Sequence, residues 1–202
     1  MKANHYSGSL TREQFMFYEI RIVARLILQD KSRESIFDEI FTDNLFQFPT
    51  ERKIKTITNA CFRRIDALDS PELVSCLANA SAEVAKQINL YAIMCENSIV
   101  YDFMTEVIGE KFRLQELDFS SKDVNVFFME LAEKVPAVNE WSESTIKKLK
   151  QVLVKFLVEC EYLENTKSEQ LQPVYLYPEL EDSIRAKNDI DALRAFNCFT
   201  AI

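Results

Sequence analysis

The side-chain types that read nucleic acid gather most densely in residues 50–66. There Arg52, Lys53, Lys55, Arg63 and Arg64 stand against only Glu51 and Asp66. Wound as a helix at about 100° per residue from Ile54, Ile57, Cys61, Ile65 and Leu68 fall within about 60° of the origin and define a buried side. Arg52, Lys55, Thr56, Asn59 and Arg63 fall between about 100° and 200°, on the opposite side. Arginine can fork onto guanine, asparagine can pair with adenine through two bonds, and threonine or lysine can take a phosphate. Each well-placed two-bond contact supplies roughly 1–3 kcal/mol of discrimination between bases.

A second stretch repeats the pattern. Over residues 142–157, Ile146, Leu149, Leu153, Phe156 and Leu157 make one apolar arc, which Cys160 extends. Lys147, Lys148, Lys150 and Gln151 lie across from it, with Ser142 and Ser144 at the start, where helix amides also favour phosphate. A recognition helix enters the major groove with its N-terminal half, and that half is the basic one here. Cations opposite an apolar face are also what any solvated helix shows. The weight comes from finding two such helices in a chain whose net charge is −8. That total argues against coating nucleic acid by charge alone, so the distribution matters more than the sum. Residues 159–191, with nine acids and three bases, carry much of the negative balance.

Other chemistries lack their parts. Nucleophilic catalysis needs a base beside the nucleophile, and the single histidine, His5, sits near the start of the chain. Cys61, Cys76, Cys95, Cys160 and Cys198 are odd in number and form no C-x-x-C pair, so zinc ligation is not expected. Reduced thiols in a reducing compartment are the reading that remains. The run Glu179–Asp182 could hold Mg²⁺ in principle, but a solvated acidic face is its ordinary role. Two glycines, Gly8 and Gly109, and five prolines are too few for an all-β fold or a phosphate-cradling loop. Trp141, between a turn and a helix start, reads as a core anchor. The expectation is a protein without catalysis, cofactor, metal or small-molecule substrate. The opening MKANHYSGSL has no apolar core for a signal peptide, and residues 20–28 are interrupted by Arg21 and Arg25. A soluble, cytoplasmic chain with no membrane partner is therefore expected.

The elements that must position these residues read as mainly helical. Fifteen phenylalanines and seven tyrosines supply the core. Helices are expected from Ser9 or Thr11 to residue 29, over 32–44 and over 50–68, the last capped by Thr50 after the break Leu45–Pro49. Three helices with a short turn before the third suggest a helix-turn-helix-like unit over residues 1–69. Central helices follow over 70–113. Residues 114–180 then give a possible strand at 114–119, a helix at 120–134, a turn and the long basic helix. Two wing strands at Tyr162–Glu164 and Pro173–Tyr177 would follow, with Lys167 near the tip. That is the order of a winged-helix-like unit with a short β-wing. A helical tail over 181–202 completes a mainly α helical bundle.

Several blocks carry a specific likeness: SGSLTREQFMFYEIRIVARLIL, NLFQFPTERKIKTI with RRIDALD, DFMTEVIGEKF and NEWSESTIKKLKQVLVKFL. Together, in order and spacing over residues 7–163, they resemble the BrxA family, small accessory proteins of BREX phage-defence systems. W-S-E-S-T-x-K-K-L, Trp141–Leu149, is the most specific block. The resemblance implies a compact helical protein of helix-turn-helix or winged-helix character, arranged like the antitermination factor NusB. It also implies non-catalytic binding of double-stranded DNA in a bacterial cytoplasm, beside BREX methyltransferase and ATPase components. No fixed set of DNA contacts comes with it. The residues expected to touch DNA are therefore those of the two helix faces and the wing: Arg52, Lys55, Thr56, Asn59, Arg63, Ser144, Lys147, Lys148, Lys150, Gln151 and Lys167. Two alternatives stay open, a helical adaptor docking other defence components and a NusB-like RNA-binding protein.

Overall fold

The computed structural model describes residues 6–199, which leaves His5 outside the described part. The described residues are mainly helical and form two compact units. One is Phe15–Glu96; the other joins Met1–Gln14 to Asn97–Ile202. The contacts thus cut the chain at residues 14/15 and 96/97. The cause is α5, Ala82–Glu96, whose residues from Gln87 to Met94 are all buried. A helix apolar on every side needs neighbours on every side. It takes them from α1 (Phe17–Ile27), α3 (Glu51–Leu68) and α4 (Pro71–Asn79), so α4 and α5 belong with the first three helices.

In this first unit α2 (Arg33–Thr42) is capped by Ser32, whose side chain accepts from Ser35 N, and it packs on α1 and α3. The first helix begins later than its periodicity suggests. Ser7 caps only a single 3-10 turn, Gly8–Thr11, and Met16 then takes a left-handed φ of 52° before α1 starts. Arg21 and Arg25, which interrupt the apolar run of α1, have a structural use. Arg21 Nη2 donates to the carbonyls of Ala78 (3.2 Å) and Ala80 (2.8 Å), and Arg25 Nε donates to Ala78 (3.1 Å). They satisfy carbonyls that the end of α4 leaves without helical donors.

The second unit begins with the 3-10 turn, whose Leu10 is fully buried and which packs on α10 (Glu143–Glu159). Helix α6 (Ser98–Asp102) runs into a π-helical stretch, Phe103–Ile108, and then α7 (Gly109–Leu114). A Cβ on Gly109 would lie 2.8 Å from Arg194 Cβ and 3.1 Å from its carbonyl carbon. Glycine is required there because α12 (Ile190–Ala195) crosses at backbone range. Helices α8 (Ser121–Lys134), α9 (Pro136–Asn139) and α11 (Pro178–Ala186) complete the unit. Its core is aromatic: Phe103 meets Phe127 edge-on at 5.3 Å and Phe127 meets Phe128 at 5.4 Å. Tyr162 is fully buried, donates to the Ala195 carbonyl (2.9 Å), and is pushed well above the usual phenol range by that burial.

The expected β-wing is corrected. Among the described residues no strand forms, and Tyr162–Glu164 and Pro173–Tyr177 share no ladder. Gln172, just before the second segment, donates its N–H to the Tyr162 carbonyl at 2.8 Å. Pro173 has no N–H to donate, and Glu161 turns the chain with φ 64° just before the first segment. The pairing that does occur joins residues 114–119 to the loop after α10. Asp118 bridges Gln170 antiparallel, with Phe119 N to Glu169 O at 2.8 Å and Leu171 N to Leu117 O at 2.7 Å.

Candidate nucleic-acid interface

Helix α3 starts at Thr50, which has the extended backbone of a cap residue but makes no side-chain cap bond. The buried side holds Ile54, Ile57, Cys61, Ile65 and Leu68, as the helical spacing requires. Arg52, Lys55, Asn59 and Arg63 are exposed, and Thr56 is half-buried with its Oγ1 donating to the Arg52 carbonyl (2.9 Å). The stripe is divided in use. Arg63 Nε donates to Glu96 Oε1 (3.3 Å), and Arg33 pairs with Asp66 across the α2–α3 gap. Asn59 and Arg63 line an open depression of about 740 Å³ whose rim carries Glu34, Asp38 and Asp66. Arg64, counted among the basic residues of the sequence, is fully buried and donates through Nη1 to the Phe15 carbonyl (3.1 Å). Asn89 Nδ2 donates to the same carbonyl at 2.7 Å.

The N-terminal half of α3 is different. Among the described residues, Arg52, Lys53 and Lys55 have no carboxylate within ion-pairing distance. Lys53 was outside the expected stripe because ideal angles place it at the helix edge, about 100° from Ile54 on the other side, and it is exposed. Its Nζ lies 3.9 Å from the centroid of the Phe48 ring, and Lys55 Nζ lies 5.1 Å from that of Phe41.

Helix α10 is capped by Ser142, whose side chain accepts from Thr145 N (3.2 Å) and shares a hydrogen bond with Ser144 Oγ (2.9 Å). Ser144, Lys147, Gln151 and Lys155 are exposed; Lys148 and Lys150 are half-buried. None of these lysines has an ion-pairing carboxylate among the described residues. Lys150 Nζ donates to Asn125 Oδ1 of α8 (2.7 Å) and lies 5.6 Å from the Phe128 ring centroid. Two open depressions, about 450 and 400 Å³, share Asn125 and Lys150 and follow the α8–α10 edge. Ser121, Gln151, Lys155 and Thr166 line the first; Trp141, Glu143 and Lys147 line the second. Half-buried Trp141 therefore borders this surface rather than filling the core. Lys167 is exposed in the loop next to Thr166, its N–H held by Asn165 Oδ1 at 2.9 Å.

The start of α8 is fixed by charge. Ser120 and Asp123 form a reciprocal cap, and Lys111 Nζ reaches Asp123 Oδ1 (3.0 Å) and the Asp118 carbonyl (2.7 Å). Partial burial alone would push the Asp123 carboxyl up. The Lys111 ammonium and the Ser120 N–H outweigh it and hold the group below the usual carboxylate range. Asn125, Lys155 and Thr166 line this candidate surface and were missed by the helix-face reading. Only Lys155 carried a signal in sequence, its charge; the other two enter through packing between elements distant in the chain.

Among the described residues no cluster of three histidine, cysteine or acidic side chains could hold a metal, and no helix is long and apolar enough to cross a membrane. The sequence model of the BrxA family matches residues 4–188. The chain belongs to the BrxA family. Relatives include a BREX protein BrxA of Bacillus cereus (strain H3081.97), 29% identical over 190 residues, with 94% of each chain covered. A BREX protein BrxA of Escherichia coli O9:H4 (strain HS) is 27% identical, over 86% of this chain and 81% of its own. The crystal structure of an uncharacterized protein from Magnetospirillum magneticum matches with a TM-score of 0.82 at 23% identity, over 95% of this chain and 98% of that one. At that identity the likeness shows a shared fold and nothing further.

Proposed function

We propose that this chain is a non-catalytic, double-stranded-DNA-binding accessory protein of a BREX phage-defence system, working in the bacterial cytoplasm beside other BREX components. Membership of the family supports the BREX assignment. One observation carries DNA binding: among the described residues, cations on two helices are left without carboxylate partners in a chain that pairs many of its others. Lys31, Arg33, Arg63, Lys111, Arg113, Lys134, Arg185 and Arg194 are ion-paired within the protein. Among the described residues, Arg52, Lys53 and Lys55 on α3, and Lys147, Lys148, Lys150 and Lys155 on α10, have no such pair. Leaving like charges side by side raises the energy of the free protein, and a polyanion relieves that repulsion.

The lysines of α10 suit phosphate, while Gln151 and, on α3, Arg52 can reach base edges. Lys167 and Thr166 would meet backbone from the loop. The test is duplex binding followed by fluorescence anisotropy at several salt concentrations. Log affinity should fall linearly with log salt, by about 0.9 per phosphate contacted. Arg52→Glu with Lys55→Glu, and Lys147→Glu with Lys150→Glu, should each weaken binding and flatten that dependence. Duplex binding unmoved by either pair sinks the helix assignment. A-form RNA hides its major groove from a helix, so structured RNA competing as well as duplex DNA would favour the RNA reading.

A further inference from the structure

Cations lie over aromatic rings at several places in the protein, and they fall into two groups. Arg21 lies 5.5 Å from the Phe17 centroid and Arg33 lies 5.1 Å from that of Phe62. Both guanidinium groups are already committed within the protein, to the Ala78 and Ala80 carbonyls and to Asp66. Lys53 over Phe48 and Lys55 over Phe41 differ. Both are exposed and, among the described residues, have no carboxylate in reach. We propose that Phe48 and Phe41 are positioning residues, which hold the Lys53 and Lys55 ammonium groups at the surface in an arrangement that a DNA phosphate then meets.

The physical reason is the cost of ordering lysine. Its four-carbon stem samples many rotamers, and fixing it on a phosphate forfeits that freedom at the moment of binding. A ring under the ammonium attracts it and narrows the set beforehand, while the ammonium's remaining N–H groups stay open to an anion. The rings are themselves held: Phe41 stacks on Phe37 at 6.3 Å with 11° between planes, and Phe48 meets Phe46 edge-on at 5.8 Å. A fixed ring can therefore fix a lysine. The same arrangement appears on α10, where Lys150 sits by Phe128 and is further tied to Asn125.

This inference rests on the duplex-binding reading, and its test keeps the two apart. The free protein is read first, by the ring-current shifts of the Lys53 and Lys55 side-chain methylene protons. Upfield shifts that disappear in Phe48→Leu and Phe41→Leu respectively are expected. Duplex affinity is then measured by anisotropy for wild type, Phe48→Leu, Lys53→Ala and the double variant, with the matching set at Phe41 and Lys55. Thermal melts confirm that each is folded. Each leucine variant should raise Kd by about two- to five-fold, the size of an exposed cation–ring attraction. That loss should vanish when the partner lysine is already alanine, and Phe48→Tyr should bind like wild type. Absent ring-current shifts overturn the proposal, as does a leucine effect that persists without the lysine, because the ring would then act only through packing. A wild-type protein that binds no duplex at low salt overturns the duplex reading and this inference with it.

Discussion

Helices α3 and α10 present the same pattern in sequence, an apolar arc with cations opposite, and the protein uses them differently. Along α10 the outward lysines are available from Lys147 to Lys155, and the one with a strong protein contact, Lys150, is held by a neutral amide. Along α3 availability changes halfway. Arg52, Lys53 and Lys55 are open, Arg63 is paired with Glu96, and Arg64 is drawn wholly inside. About two turns of helix separate a cation offered to a partner from a cation spent on the fold. Net charge in a segment therefore counts residues of two kinds. What separates them is whether a carbonyl or carboxylate from elsewhere in the fold arrives.

The sharpest way to break this contrast is Arg64→Ala. It removes a buried donor from the Phe15 carbonyl and leaves a cavity among α1, α3 and α5, so urea unfolding should show a loss of about 3 kcal/mol. Duplex affinity of the folded fraction should hardly change. If affinity fell with stability unaltered, Arg64 would belong with the open cations. Gly109→Ala is the counterpart in the unit that carries α10. Its new methyl group meets Arg194 at backbone range and should cost about 2 kcal/mol in a chemical melt, with every α10 lysine left in place.

Binding measurements come next in size. Lys147→Ala with Lys150→Ala should raise Kd roughly tenfold at moderate salt and lower the salt slope by about 2, whereas Arg63→Ala should change Kd less than about two-fold. An equal loss from Arg63→Ala would mean that Glu96 releases it on binding, and that all of α3 is interface. The smallest effect is in acid. Asp123 has a folded pKa below its unfolded value, so its contribution is complete above the unfolded carboxylate range and fades as pH falls through the lowered one. Melts should therefore decline on acidification below about pH 4, and less in Asp123→Asn.

The helical class, the break at Leu45–Pro49 and the start of the long basic helix at Ser142 were legible in sequence, because each depends on residues within one turn. The exposed side of α3 was legible for the same reason. The burial of Arg64 was not, since its carbonyl partner lies 49 residues away in Phe15. Nor was the loss of the wing. Alternating side chains at residues 171–177 promise a strand, but a ladder also needs a donor at Pro173 and a partner in register. Lys53 was lost to ideal geometry: a 100° step per residue assigns it near the edge, and its place over Phe48 depends on how the preceding turn folds back.

The π-helical stretch, Phe103–Ile108, has a consequence for length. A π turn carries one residue more than the α turn it replaces, with the Gly109 N–H reaching back five residues to Met104. Deleting a single residue inside 103–108 would let the helix close as ordinary α and keep the phase of α7 nearly intact. Deleting one from the regular part of α5 or α10 would swing every later side chain by about 100°. A one-residue gap is thus cheap at this point of the chain and expensive in those helices. Among relatives of unequal length, a one-residue difference should fall here, between Phe103 and the glycine that lets α12 cross.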